Sequence, residues 1–447
     1  MSEPEPSITA RLTRRHVLVR AGAFSLATAA APLLAACGSD DDAGGSAATV
    51  DDAPSNPYAE RLRAALDLPT GEAAGQGKTI TLGAALALSG TGSSYGIEGQ
   101  RGLELAAAHI RALGGPTFEF DVRDHKSGDA QAAAQAGRTW GLDRRPVVIA
   151  SYQAVHGALL PAVEQYKMLC LDGSGGASGE LMGRPYFYGT RADPNTAPMP
   201  GLMRFLAEER DVKRLSYVWA ETGAPARKAT LPLLDQYSAE FGLEVTGRHP
   251  TELANPDFSQ VIARLKQERP DAVLHRIYGS IAGHFAKQVR AAGLDIEIVG
   301  SDYLLEAAKI AGPAYEEVLF GFDYFNADLV GNEFGKIYAD AYQAEHKQPP
   351  DIYSANNYES LFMVWDLVRR IIADGGDLES GEAYLKALEA DPSFASVHGA
   401  SGKAGTLQLD TKTHIPSQRQ MGVYQAHVDK PQLVATFDVG GANFEVV

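Results

Sequence analysis

The stretch TITLGAALALSGTGSSYG, residues 79–96, decides the fold of this chain. Its first eight residues are strand-like, and a glycine- and serine-rich turn follows them. A helical pattern then runs from Gly96 to Ala112, before the next strand-like segment at residues 117–122. Strand, glycine-rich turn and helix in this order indicate a βαβ unit with parallel strands.

The same alternation continues along the chain. Further strands are expected at residues 147–150, 168–171, 214–219, 271–274 and 297–300, with helices between them. Because the alternation restarts at residue 214, we predict an α/β fold with two doubly wound, Rossmann-like lobes built on parallel sheets. Another long helix is expected over residues 354–373, and the region after Gly405 is rich in strand-forming residues.

The first 36 residues have the pattern of an export signal. Four arginines, two of them the adjacent Arg14 and Arg15 of a twin-arginine-like motif, precede an uncharged, alanine-rich run that is too short for a permanent membrane helix. The run ends in Leu-Ala-Ala before Cys37, which resembles the bacterial lipobox, where the cysteine is lipidated. We therefore expect residues 1–36 to be a signal peptide. Residues 37–77 would form a lipidated cysteine, a flexible tether and a short helix, which places the chain in the periplasm or at the cell surface, anchored to a membrane by lipid.

The composition narrows the classes of function. The formal net charge is −16 over 447 residues, so we expect no nucleic-acid partner and no electrostatic membrane patch. With Cys37 lipidated, Cys170 is the only other thiol, which excludes an intramolecular disulfide and a cysteine cluster for zinc. The histidine spacings match no zinc motif, and we expect neither a metal nor a cofactor.

Two glycine-rich loops raise alternatives. Residues 92–96 match the G-x-S-x-G pattern of a nucleophile elbow, so a secreted serine hydrolase using Ser94 is one alternative function. The other interpretation of residues 92–96 is a polar helix N-terminus whose N–H groups face a ligand. The second loop, residues 173–179, lacks the Walker lysine and the G-x-G-x-x-G spacing, so it indicates close backbone approach to a ligand rather than a nucleotide site.

The order of several short motifs resembles a known family. Thr81-Leu82-Gly83 leads to Leu88-Ser89-Gly90, a turn ending in Tyr95-Gly96 follows, and the segment 271–294 precedes Gly300-Ser301-Asp302. This order is similar to that of the type I solute-binding proteins of ABC importers, in the leucine/isoleucine/valine-binding family. The resemblance covers roughly residues 78–424 and implies two α/β lobes, joined by three crossing strands, that close on a small ligand. It implies a first lobe of residues 78–192 plus 324–404 and a second lobe of residues 193–323 plus 405–447.

The resemblance also implies which residues bind the ligand. Asp302 stands where the family has an acidic residue that accepts the ligand ammonium, and Tyr278 and Tyr95 stand where an aromatic residue contacts the ligand. The loops that usually hold a ligand carboxylate differ here, and the second-lobe loop reads Glu-Thr-Gly around Thr222. The carboxylate side of the site is then expected to consist of Gln153, Ser174 and the backbone N–H groups of Gly175, Gly176 and Ala177.

These patterns together predict a binding protein rather than an enzyme. We expect a monomer that captures an amino acid, an amide or a related compound and delivers it to an ABC permease. A sensor that presents the same fold to a membrane receptor stays an alternative, because the two functions differ in the partner surface and not in the fold.

Overall fold

A computed structural model describes residues 56–69, 74–174, 183–194, 196–221, 224–300, 303–323, 327, 330–399, 401–427 and 431–447. The expected signal peptide, Cys37 and most of the expected tether lie outside these residues. No helix in the described ranges is both long enough and apolar enough to cross a membrane.

The first α/β layer follows the predicted alternation closely. Its elements are α1 (Ala59–Ala65), β1 (Thr79–Leu86), α2 (Ser93–Ala112), β2 (Thr117–Asp124), α3 (Ala130–Leu142), β3 (Val147–Ala150), α4 (His156–Tyr166), β4 (Leu169–Asp172) and β5 (Phe187–Gly189). The five strands form one parallel sheet in the order β2-β1-β3-β4-β5.

The second α/β layer repeats the alternation. Its elements are α5 (Met199–Glu209), β6 (Arg214–Ala220), α6 (Ala224–Glu240), β7 (Glu244–Thr251), α7 (Ser259–Glu268), β8 (Ala272–Arg276), α8 (Ile281–Ala291), β9 (Glu297–Gly300), α9 (Leu305–Ala311) and β10 (Leu319–Asp323). These strands also pair in parallel.

The remainder of the chain adds elements to both layers. It comprises α10 (Glu333–His346), α11 (Ile352–Ala373), α12 (Gly381–Ala390), β11 (Ser393–Ser396), β12 (Gly405–Leu409), β13 (Pro416–Gln418), β14 (Gln420–Ala426), β15 (Pro431–Asp438) and β16 (Glu445–Val446). Strands β14 to β16 extend the second sheet with antiparallel neighbours, giving the order β16-β15-β14-β10-β9-β8-β6-β7, while β11 to β13 form a small separate sheet.

Each large sheet is buried on both faces, as a doubly wound fold requires. In β1, Leu82 packs in the cluster that includes residues of α2 and α11, whereas Ala85 packs on the opposite face with Trp140 of α3. In β8, Val273 and Leu274 point to opposite faces of the second sheet and pack in two different clusters. The predicted α/β fold with two Rossmann-like lobes is confirmed.

The strand pairing near the C-terminus bears on where the second lobe resumes. The strands β12 and β13 pair with β11, and Leu407 and Leu409 pack in the core cluster of the first sheet. We therefore propose that the second lobe resumes at Arg419, and that residues 405–418, which the sequence assigned to the second lobe, belong to the first.

The chain crosses between the two sheets three times, and each crossing carries a buried charged residue. Arg191 follows β5, Asp323 ends β10 and Arg419 precedes β14, and no more than 2% of any of these side chains is exposed. Asp323 lies 3.6 Å from the Nε of Arg191 and 3.4 Å from the Nε of Arg419. The Nη2 of Arg419 also donates to Glu359 of α11 over 2.6 Å. The three crossings are thus tied together by one buried ionic network.

Candidate functional site

The carboxyl ends of the two parallel sheets face each other across contacts made by Tyr95. This residue lies in the first turn of α2, and its side chain is almost completely buried. Its hydroxyl accepts a 2.7 Å hydrogen bond from the backbone N–H of Gly279, which follows β8 in the second lobe. Ligands of α/β sheets bind at this edge, and Tyr95 joins the two lobes there.

Gly279 makes the approach of the lobes possible. Its φ angle is +63°, a left-handed conformation that glycine adopts without steric cost, and a Cβ atom on it would lie only 2.1 Å from the carbonyl oxygen of Thr91. The N–H of Ser280 donates to that same carbonyl over 3.2 Å. Ser94 donates to Glu306 of α9, which is a third contact between the lobes. The two lobes are therefore in direct contact at this edge.

Aromatic side chains line the first-lobe side of this region. The ring of Tyr95 lies 4.6 Å from that of Tyr353 at the start of α11 and 6.1 Å from that of Tyr152. Tyr152 has a φ of +74°, which is uncommon for a residue with a side chain and concentrates at functional sites. Its ring also lies 5.9 Å from His125, whose pKa is lowered by burial. These rings offer an apolar wall for the body of a ligand.

The sequence-predicted residues divide into two groups. Tyr95 and Tyr278 belong to one packed cluster, Gln153 begins the short 3-10 turn after Tyr152, and Ser174 is buried after β4. The structure thus brings Tyr95 and Tyr278 together from opposite lobes. Five other predicted ligand residues lie outside the described part of the chain, as does the predicted lipidation site: Gly175, Gly176, Ala177, Thr222, Asp302 and Cys37.

Ser174 is held firmly by its surroundings. Its hydroxyl accepts a 2.6 Å hydrogen bond from Asn357 of α11, and its carbonyl accepts one of 3.0 Å from Arg191. Its N–H donates to Asp172 over 3.0 Å. The site is therefore coupled through Ser174 to the ionic network of the crossings, which sequence reasoning did not anticipate.

Arg276, the last residue of β8, is a buried cation that the sequence analysis did not select. Only 2% of it is exposed. Its Nη1 donates to the carbonyls of Gly300 and His275 over 3.3 and 3.4 Å, whereas its Nε and Nη2 have no hydrogen-bond partner in the structure. Among the described residues, no carboxylate lies within salt-bridge distance of this guanidinium. The sequence does carry one signal of this residue, which is an arginine at the end of a strand that begins with three apolar residues, Ala272 to Leu274.

The described residues do not assemble the chemistry of the alternatives. The hydroxyl of Ser94 donates to Glu306 rather than to a histidine, so the geometry does not favour a nucleophile elbow. No cluster of three or more metal-ligating side chains occurs in the part of the chain that the structure describes. Cys170 is buried in β4, and burial raises the pKa of its thiol well above the ordinary value, which is typical of an inert, packed cysteine.

Comparison with known proteins identifies relatives of this arrangement. A sequence profile described as periplasmic binding protein matches residues 79–431. No curated protein matches the chain by sequence. Among solved structures, the branched-chain amino acid transporter substrate-binding protein LivJ of Streptococcus pneumoniae, in complex with isoleucine, has a TM-score of 0.69 at 20% identity, covering 83% of this chain and 99% of LivJ.

Two further solved structures have the same fold. The solute-binding protein of an ABC transporter from R. palustris, in complex with benzoate, has a TM-score of 0.69 at 19% identity, covering 83% of this chain and 98% of its own. The leucine-binding protein LivK of Thermotoga maritima has a TM-score of 0.70 at 18% identity, covering 80% and 98% of the two chains. At these identities the likeness shows a shared fold.

Proposed function

The chain belongs to the periplasmic binding protein family, with the type I fold of the leucine/isoleucine/valine-binding proteins, and from this premise we propose that it captures a small ligand between its lobes for an ABC importer. It would perform no chemistry on that ligand. The ligand would be a small polar compound such as an amino acid, an amide or an aromatic acid, since neighbours of the same fold are complexed with isoleucine and with benzoate.

The observation that carries this proposal is the contact between Tyr95 and Gly279. This hydrogen bond of 2.7 Å joins residues of different lobes, so a hinge opening that separates the lobes would break it. A ligand enclosed at this edge would be desolvated, and each polar group left unmatched would cost roughly 1–3 kcal/mol, which is a sufficient basis for selectivity. Closure selected by a ligand is the general behaviour of hinged α/β traps.

The residues proposed to contact the ligand come from both lobes. Tyr95, Gln153 and Ser174, with the backbone of Gly175, Gly176 and Ala177, would supply the first-lobe side. Tyr278, Thr222 and Asp302 would supply the second. In this proposal Tyr278 and Tyr95 contact the apolar body of the ligand, and Asp302 accepts an ammonium group where the ligand has one.

Export and anchoring complete the proposal. The sequence Leu-Ala-Ala-Cys at residues 34–37 supports cleavage of residues 1–36 and lipidation of Cys37. The chain would then work as a monomer held beside its permease at the outer side of a membrane. Metabolic labelling with a palmitate analogue tests this, because a Cys37→Ser variant should lose both the label and membrane association.

A thermal-shift screen of the purified chain tests the binding function itself. Amino acids, amides, urea and aromatic acids are compared, since a compound that binds only the folded state raises the melting temperature by mass action. Scattering measured with and without each hit should show a more compact particle on binding. Uptake of the hit by cells lacking the gene separates an importer component, for which uptake falls, from a sensor, for which uptake persists and only the response is lost.

Asp302 offers a sharper test for any hit that carries an ammonium. Asp302→Asn removes a charge-assisted hydrogen bond, which contributes roughly 1.5–3 kcal/mol, so the dissociation constant should rise about 10- to 150-fold. The exposed Asp295 of the same lobe is a matched control, and Asp295→Asn should change nothing. Equal affinities of the two variants would remove Asp302 from the site.

A further inference from the structure

We propose that Arg276 binds the carboxylate of an organic acid, so that the ligand of this protein is a carboxylic acid held by its anionic end on the second lobe. This inference rests on the proposed binding function and specifies the chemical class of the ligand. It starts from the state of the Arg276 side chain, which is a cation 2% exposed and without a carboxylate in salt-bridge distance among the described residues.

Burying such a charge is costly. A desolvated ion loses hydration free energy that the protein ordinarily returns through a counter-charge and hydrogen bonds. The Nη1 of Arg276 donates to two backbone carbonyls at 3.3 and 3.4 Å. Its Nε and Nη2 have no hydrogen-bond acceptor, and both atoms are buried away from bulk water. The side chain is therefore built to meet a further acceptor.

The pair of nitrogens left over specifies the shape of that acceptor. Nε–H and Nη2–H of a guanidinium point in the same direction, and together they form the side-on fork that takes the two oxygens of one carboxylate. The Nη1 contacts with Gly300 and His275 hold the plane of the guanidinium and leave this fork unused. A planar carboxylate matches the fork, whereas a neutral amide supplies only one oxygen.

Arg276 lies at the end of the strand that leads to the contact between the lobes. Arg276 ends β8, and Gly279, three residues later, contacts Tyr95 of the other lobe. Gly300, which Arg276 contacts, ends the neighbouring strand β9 and precedes the proposed ammonium site at Asp302. Both strands end at the edge where ligands of parallel sheets bind. The rings of Tyr95, Tyr152 and Tyr353 lie on the first-lobe side of the same edge, where Tyr95 contacts Gly279.

The experiment compares acids with their own amides on the purified full chain. The probes are benzoate with benzamide and isoleucine with isoleucinamide, and formate and chloride serve as small anions without an apolar body. Dissociation constants are measured by calorimetry for the wild type, Arg276→Gln and Arg276→Lys. Arg204, a partly exposed arginine of the same lobe paired with Glu208, provides the matched control Arg204→Gln.

We expect at least one acid to bind at least tenfold more tightly than its amide, and this preference to disappear in Arg276→Gln but not in Arg204→Gln. Arg276→Lys keeps the charge but loses the fork, so it should recover only part of the affinity. Because the acid-to-amide ratio of the wild type needs no variant, the test survives if Arg276→Gln does not fold.

Four results would overturn the assignment. If an amide binds as tightly as its acid, or if Arg276→Gln binds the acid unchanged, the binding function stands and the role of Arg276 is wrong. If formate and chloride compete as well as benzoate, the site accepts any small anion, and the assignment of an organic acid with an apolar body is wrong. If no acid, amide or amino acid binds, both this inference and the proposed function fail.

Discussion

Replacing Gly279 by alanine tests whether the closed conformation is the one that binds. A Cβ atom at this position would lie 2.1 Å from the carbonyl oxygen of Thr91, which belongs to the other lobe. Ordinary contact begins near 3.4 Å, so the two backbones must separate locally by about 1.3 Å, the difference between those two distances. The clash involves backbone on the Thr91 side, so no side-chain rotation can relieve it.

The expected effect follows from the contacts that this separation breaks. The Tyr95–Gly279 hydrogen bond of 2.7 Å and the Ser280–Thr91 hydrogen bond of 3.2 Å both join the lobes here. At about 0.5–1.5 kcal/mol each, their loss destabilises the closed state by roughly 1–3 kcal/mol. Because closure is coupled to binding, the dissociation constant of any ligand found by the screen should rise roughly 5- to 150-fold.

Gly293 provides the control for backbone strain. Its φ angle is +73°, as expected for the left-handed residue that ends α8, and a Cβ atom there would meet nothing within 4 Å. Gly293→Ala therefore carries the same cost of about 1–2 kcal/mol for a left-handed alanine, but no clash between lobes. Calorimetry gives the affinity of both variants, urea unfolding their stability, and scattering the compactness of the liganded state.

The reasoning is refuted if both alanine variants bind equally well, because the cost would then be local strain. It is also refuted if Gly279→Ala binds like the wild type and still compacts on adding ligand. A loss of affinity with unfolding free energies that match between the two variants is the expected result.

Three other perturbations address the same contacts, the crossings and the response to pH. Tyr95→Phe should weaken binding about 2- to 12-fold through loss of one hydrogen bond, with Tyr237→Phe unchanged; equal affinities would contradict the role of the hydroxyl. Arg419→Met should lower the free energy of unfolding, measured in urea, by about 3–5 kcal/mol, because it leaves buried carboxylates without a counter-charge. The control Arg61→Met breaks an exposed ion pair and should lower that free energy by less than about 1 kcal/mol. Burial holds the pKa of His109 at about 4 instead of 6.5, so the unfolded chain takes up the proton first and stability should fall as the pH drops from 6.5 to 4; His109→Gln should flatten that slope in acid titrations.

Much of the fold follows from local sequence pattern. The alternation of apolar runs and amphipathic segments predicts β1 to β4, β6, β8 and β9 with the helices between them. The sequence pattern did not predict β7, because its residues, EVTGRHPT, are largely polar and only one of them is buried at the edge of the second sheet. The proposed assignment of residues 405–418 to the first lobe rests on strand pairing, which is non-local and leaves no mark in the sequence, because the strand pattern is the same in either sheet.

The site was only partly predictable for a related reason. Tyr95 and Tyr278 follow strands and carry aromatic rings, a pattern visible in sequence, and they do pack in one cluster. Tyr353 lies within a helix whose apolar pattern indicates only a buried core, and the positive φ of Tyr152 has no marker in the residue itself. Arg276 became notable only when its surroundings showed that two of its nitrogens lack acceptors.

Each lobe is built from segments that lie far apart in the sequence, and this affects how the chain folds during its synthesis. Helix α11 packs along α2 in the first lobe, and β14 completes the second sheet beside β10, although long stretches of sequence separate both pairs. Neither lobe can therefore finish its core until nearly the whole chain has left the ribosome. Long-range pairing of this kind slows folding and leaves apolar strands exposed meanwhile. The same connectivity that makes a hinge thus gives chaperones and the export machinery a prolonged interval in which to engage an unfinished chain.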